Sequence, residues 1–403
     1  MSEQLTNREK RIPRVLFLAI LFMQIPFIIS YHVLENSSLL LPLLTGSYVG
    51  LVLMLFFTFY NGIKNYHLIT IGFIVIQLLP LYVNSMKGIE INIQDYIGTV
   101  AKTLNFFLFF CLLFSVGVKK QQLSKFMKYI VWFALLACMY NFIIHFSEII
   151  NLRYITSGYE LDLKSFFVNR NQFGAFLFIS IVAHYYLVSG KKIQLYTIII
   201  FFIQLSNLLL TMSRGAILAS AVFFAILYVQ HVKNIKVITV MIAIVMAVLV
   251  FFLSSEELVA FLTNNILRLD SGVAGRSEIW EMGLTILREN NIINGVGYFT
   301  GIDLAKAQGF QFDEFHSLYI DTLVSGGIIE LIFLLSLMIY IVRRCLKQCY
   351  DRGYKKIYIA SFLGILILGF FESLSFFTLG YVGTLLTVFY ISIPILLGNM
   401  EAT

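Results

Sequence analysis

Three arginines set in short polar strings are the residues best suited to chemistry in this sequence. Arg170 stands in FVNRNQFG, Arg214 in TMSRGA and Arg276 in AGRSEIW. A guanidinium is a planar fork of donors that keeps its charge, so three of them converging would hold the oxygens of a polyanion such as a pyrophosphate. Taken singly, each would also serve as an interface anchor on lipid headgroups. His316, in FDEFHSLY, adds a group that titrates near neutrality and is suited to orienting a hydroxyl and accepting its proton. The six histidines, at 32, 67, 145, 184, 231 and 316, show no HExxH or paired zinc spacing. Cys345 and Cys349 in a basic segment are a weak metal signal, and no metal is expected.

Other ionisable residues fall inside apolar stretches, where their cost makes them functional candidates. They are Lys102, His145, Asp321 and Glu372, with Glu330 deeper in its stretch. Snorkelling and interhelical hydrogen bonds account for single cases. Lys102, Asp321 and Glu372 are expected to support the site, and Glu330 to act in packing or gating.

The elements that must hold these groups are membrane helices. Of 403 residues, 59% are hydrophobic and 13% charged, with a mean hydropathy of +0.86. That excludes an ordinary soluble globule, in which about 25% of residues are charged. Apolar stretches of roughly 20 residues give twelve expected spans, at about 15–31, 39–60, 67–84, 97–118, 129–150, 171–189, 194–212, 215–231, 237–254, 317–342, 357–377 and 381–398. The fold class is an all-α polytopic membrane protein, with 1–403 as one integral membrane domain.

Basic residues gather in alternate connections: Arg8 to Arg14, KKQQLSKFMK at 119–128, Lys191–Lys192 and RRCLKQCYDRGYKK at 343–356. By the positive-inside rule that side is the cytoplasm and holds both termini, and the first span is read as retained. The net charge of +7 is then a topology signal and implies no nucleic acid. The longest connection, 255–316, falls on the outer side and is read as structured. Within it Ile279, Trp280, Met282, Ile286 and Leu287 recur at helical spacing, which predicts a surface helix capped by Ser277. A glycine-rich turn, GVGYFTG at 295–301, follows it and leads to His316 at the mouth of the tenth span.

The order SRGA, GRSEIW, NGVG and EFHSLYIDTLVSGGIIELIFLL resembles the O-antigen polymerase and ligase superfamily over about 214–335. Roughly the first 150 residues match only as hydrophobic helices. The resemblance implies a GT-C-like bundle and an inverting, metal-independent glycosyltransferase without a cofactor. Its donor would be a sugar chain on undecaprenyl pyrophosphate, at the outer face of the bacterial plasma membrane, in the biosynthesis of O antigen, capsule or exopolysaccharide. Arg214 and Arg276 match pyrophosphate-holding arginines, Arg170 is a looser match, and His316 matches the general base or acceptor-positioning histidine. Trp280, Tyr298, Phe310, Asp313, Glu314 and Tyr319 would then face sugars. Expected partners are the lipid-linked oligosaccharide and the bilayer, with a chain-length regulator and a flippase alongside. The leading expectation is a polymerase of repeat units, and the alternative a ligase that moves finished polymer to lipid A-core. A lipid-linked oligosaccharide flippase would line a cavity through the bilayer with polar groups, whereas here they gather towards one side.

Overall fold

The computed structural model describes residues 67–111, 120–150, 163–167, 169–192, 194–231, 273–349, 352–374, 376–377 and 381–398. Among them every regular element is helical. Ile69–Met86, Leu123–Ile144, Arg170–Val188, Leu318–Gln348 and Arg352–Phe371 are long and apolar enough to cross a membrane, and Leu195–Leu210, Arg214–Gln230 and Leu385–Ile395 are shorter apolar helices. The chain is a multi-pass membrane protein. The expected spans at 15–31, 39–60 and 237–254 lie outside the described residues.

In chain order the helices are α1 (His67–Met86), α2 (Ile93–Phe106, continued by a π-turn at Phe107–Cys111), α3 (Lys120–Ile144), α4 (Phe146–Ile150), α5 (Arg170–Val188), α6 (Leu195–Leu210) and α7 (Arg214–His231). They continue as α8 (Val273–Glu289), α9 (Tyr298–Ala307), α10 (Leu318–Gln348), α11 (Arg352–Phe371), α12 (Tyr381–Thr387) and α13 (Ile393–Gly398), the last two joined by a π-turn at Val388–Ser392. The chain divides into two compact units, one formed by 1–132, 279–355 and 369–403, the other by 133–278 and 356–368.

In the first unit, α1 turns Thr70, Phe73, Gln77 and Asn84 inward and leaves Ile71, Val75, Leu78 and Tyr82 exposed. Polar groups inside and apolar ones outside are what a lipid surround selects. On α2, Asp95, Thr99 and Phe106 are buried and recur at helical spacing with Lys102 on the same face. Asn92 caps this helix, its Oδ1 accepting from Gln94 N at 2.8 Å.

Helix α10 is the element on which the rest of this unit turns. Its 31 residues amount to about 46 Å of helix, more than a hydrocarbon core requires. It breaks at Gly326 (φ −131°, ψ 17°) and Gly327 (φ 67°, ψ −164°). The break exposes backbone groups that no helix satisfies, and the segment 292–297 satisfies them. Val296 N donates to Val324 O at 2.9 Å, and Gly297 N to Ser325 O at 3.1 Å. Ile328 N donates to Ile292 O at 3.1 Å, and Ile329 N to Ile293 O at 3.2 Å. The glycine-rich turn and the Gly–Gly pair of α10 are therefore one structural joint. Against this joint packs a core of Met282, Ile286, Leu287, Val296, Ile302, Ala305, Phe315 and Val324.

In the second unit, α5 and α7 run parallel, with α6 antiparallel to both. Gly174 of α5 has no room for a Cβ, which would sit 2.7 Å from Ser213 Cβ and 3.1 Å from Ala216 Cβ. Further along, Phe178 meets Phe223 edge-on with centroids 6.3 Å apart, and Tyr185 meets Phe223 at 5.7 Å. Gln204 of α6 donates to Ser180 Oγ at 3.0 Å.

One expectation is corrected here. Ser277 does not cap the helix of the AGRSEIW string, because α8 begins at Val273 and Ser277 stands exposed within it. Val273 and Ala274 are compatible with helix, and serine marks a start only where the preceding residues are extended.

Candidate functional site

Arg170 is the first residue of α5 and Arg214 the first of α7. Because these helices run parallel with Gly174 wedged against Ser213, the structure brings the two arginine-bearing ends together. Both arginines are half-buried. The approach to α5 is built by Asn169, whose Oδ1 accepts from Gln172 N at 2.8 Å, and by Phe167, stacked on Phe173 and Phe176 with centroids 5.3 and 5.2 Å apart. The approach to α7 is bent by Met212, a non-glycine residue at φ 51°, and held where Ser213 N donates to Thr211 Oγ1 at 3.2 Å. A helix start carries a partial positive charge, which makes a cation there unfavourable and an anion favourable. Two such starts, each led by an arginine, form an electropositive end suited to an anion of two or more charges.

Arg276 lies on α8, half-buried, one turn before Trp280. In the first unit the Trp280 indole donates to Phe315 O at 3.0 Å, which fixes the residue preceding His316. His316 itself has φ 53°, a left-handed conformation costly for a non-glycine residue and frequent at functional positions. Two backbone hydrogen bonds and one from a side chain hold the strained corner. Leu318 N donates to Glu372 O at 3.0 Å, Asp321 N to Ser317 O at 2.8 Å, and Ser317 Oγ to Gly369 O at 3.5 Å. Glu372 is buried and supports the corner through its carbonyl.

Glu314 Oε2 approaches His316 Nδ1 at 3.5 Å, both side chains being half-buried. Burial and, after it, the neighbouring Asp313 raise the Glu314 carboxyl above the usual range. Tyr298, at the start of α9, is raised by burial first and then by Asp321 and Glu314. Asp321 is 2% exposed and its carboxylate faces Ser373. Tyr319 packs its ring on Phe370 with centroids 4.5 Å apart.

Lys102 belongs to a different cluster of this unit. Its ammonium donates to Ser325 Oγ at 2.9 Å and meets Glu330 Oε1 at 3.3 Å, while Gln77 Nε2 donates to the same Glu330 oxygen at 2.8 Å. The cluster therefore straddles the break in α10. Sequence reasoning treated Lys102 and Glu330 separately, and nothing in their spacing signals that they pair.

The turn at 295–301 leads into a helix start, an arrangement that elsewhere cradles phosphate. Here Asp95 of α2 already fills it: its carboxylate accepts from Phe299 N at 3.0 Å, Thr300 N at 2.8 Å and Thr300 Oγ1 at 2.7 Å. A Cβ on Gly297 would stand 2.5 Å from Asp95 Oδ2, so glycine is what lets the carboxylate in. Asp95→Ala is expected to lower stability by about 1–2 kcal/mol, the cost of a lost N-cap, with Asp95→Asn losing less. The thermal midpoint in detergent reads this, and an unchanged midpoint for Asp95→Ala would contradict it.

A family model described as O-antigen ligase matches residues 199–335, about a third of the chain. The match takes in Arg214, Arg276, His316, Tyr319 and Asp321, and stops short of Arg170, Lys102 and Glu372. No curated protein matches the sequence. The matched segment carries the leading arginine of α7, the joint at 292–297 and the strained histidine before α10, and over these residues the chain is similar to the O-antigen ligase family.

Proposed function

We propose that this protein polymerises oligosaccharide repeat units carried on undecaprenyl pyrophosphate, by inverting glycosyl transfer at the outer face of the plasma membrane. The observation that carries the reading is the pair of parallel helix starts led by Arg170 and Arg214. Together with Arg276 they supply the charge that a departing pyrophosphate needs, in a setting where fixed donors are worth more than in water. His316 takes the proton of the acceptor hydroxyl as that oxygen attacks the anomeric carbon. The bond from that carbon to the pyrophosphate oxygen breaks, and the pyrophosphate leaves with its electron pair. The reading assigns leaving-group stabilisation to arginines instead of a metal ion, and a chain-length regulator and a flippase would act before or beside this step.

Arg214→Lys, Arg276→Ala and His316→Ala, each at normal protein level, are expected to cut chain elongation by about 10²-fold or more. Lipid-linked single repeat units should then accumulate, as sized by electrophoresis and mass spectrometry. Long-chain polymer persisting in all three variants would overturn the assignment. A second reading, a ligase, is favoured by the description of the matching family model. Deletion of the gene separates the two: single units on the normal acceptor mark a polymerase, and full-length polymer held on undecaprenyl pyrophosphate marks the ligase.

A further inference from the structure

We propose that Glu314 is the positioning carboxylate of His316, holding the imidazole through Nδ1 so that Nε2 receives the acceptor proton. This rests on the reading of His316 as the base of glycosyl transfer.

The geometry comes from the strained corner. With φ at 53°, His316 folds its side chain back over the residues before it, and Glu314 Oε2 stands 3.5 Å from Nδ1. The backbone on either side is fixed: Phe315 is fully buried and its carbonyl accepts the Trp280 indole N–H at 3.0 Å, while Leu318 N is tied to Glu372 O at 3.0 Å. The left-handed turn draws together two side chains two residues apart, which an extended chain would leave on one face but about 7 Å from each other. Catalytic contacts of this kind are commonly long before substrate arrives and shorten in the complex.

The chemistry follows from the contact. Neutral His316 has one protonated nitrogen. A carboxylate facing Nδ1 selects the tautomer with the proton on Nδ1 and leaves Nε2 as the accepting atom. When the acceptor O–H bond breaks and its proton moves to Nε2, the resulting imidazolium is stabilised by the adjacent negative charge. The new C–O bond forms as the pyrophosphate departs, and the proton then passes from Nε2 to solvent. The groups facing this pair are Asp313, ion-paired with Lys306 at 2.7 Å, Tyr298 from α9 and Asp321 from α10. Burial first, and then the charge of Asp313, raise the Glu314 carboxyl above the ordinary glutamate range, so the acid limb of the activity profile should lie correspondingly high.

The test uses the full-length protein in detergent, with lipid extract from the deletion strain supplying both donor and acceptor. Glu314→Gln should lower kcat by about 10–100-fold with the apparent KM for the extract within twofold, and Glu314→Asp should recover part of the loss. Asp313→Asn removes the charge beside Glu314 and should move the acid limb to lower pH, and the shift should be smaller in the Glu314→Gln background, where only the direct effect on His316 remains. If His316→Ala is inactive but Glu314→Gln keeps wild-type kcat and pH profile, the positioning role is overturned while the function stands. If His316→Ala itself keeps full turnover, the underlying reading falls and this proposal with it. If Glu314→Gln fails to accumulate, the Asp313→Asn profile decides: an unmoved acid limb overturns the role.

Discussion

Replacing Gly327 by alanine is expected to destabilise the protein by several kcal/mol and to abolish chain elongation, the largest effect of any single methyl group added to the first unit. Two costs combine. At φ 67° and ψ −164° the backbone lies in a region that only glycine populates readily, worth about 1–3 kcal/mol of strain. The added Cβ would also overlap the carbonyl of Ile293, which accepts the Ile329 N–H at 3.2 Å, so the methyl wedges apart the hydrogen bonds that close the α10 break. Gly309 separates the two costs, because it too has positive φ, at 93°, but a Cβ there meets nothing within 4 Å. Gly309→Ala should cost about 1 kcal/mol, in the low range of backbone strain. Thermal or denaturant unfolding in detergent compares the two variants directly. Gly327→Ala unfolding no earlier than Gly309→Ala would show that the joint does not depend on close backbone approach.

What the sequence could announce and what it could not divides along the range of the interactions involved. A continuous apolar run dictates a helix by itself, so the stretch expected at 171–189 is found at Arg170–Val188, and the one expected at 194–212 at Leu195–Leu210. The arginine strings and His316 were legible for a similar reason, since a polar string at the edge of an apolar run is a local signal. The break in α10 was not. LVSGGIIELIFLL has apolar residues on both sides of its glycines, and the reason it breaks is a segment some thirty residues earlier that accepts and donates the freed backbone bonds. The role of Asp95 was hidden in the same way, because its partners Phe299 and Thr300 lie more than 200 positions away. Glu314 was read as one of several residues facing sugar, and only the left-handed turn at His316 shows that it faces the imidazole.

Removing either member of the Lys102–Glu330 pair is expected to cost about 3–5 kcal/mol, the penalty for stranding a buried charge. The two side chains are 16% and 10% exposed. A protein that needed only to fill this space would use apolar residues, since burying ions costs more than their attraction usually returns. What the pair supplies instead is placement. Lys102 bonds Ser325 immediately before the break and meets Glu330 just after it, so one ammonium spans the joint, and Gln77 holds the carboxylate from the other side at 2.8 Å. Lys102→Met leaves Glu330 with Gln77 alone, and Glu330→Gln leaves the ammonium with only the Ser325 hydroxyl. The double variant Lys102→Met with Glu330→Gln removes both charges and should recover most of the stability, so that the two single losses greatly exceed the double. Unfolding of the four proteins in detergent gives the coupling, and losses that simply add would show that the pair is not an interaction. Elongation should separate stability from placement: in the double variant the α10 break keeps its backbone bonds to 292–297 but loses the ammonium that ties Ser325 to Glu330. Its activity should therefore stay below wild type even where its unfolding midpoint returns, because no side chain then ties Ser325, before the break, to Glu330 after it.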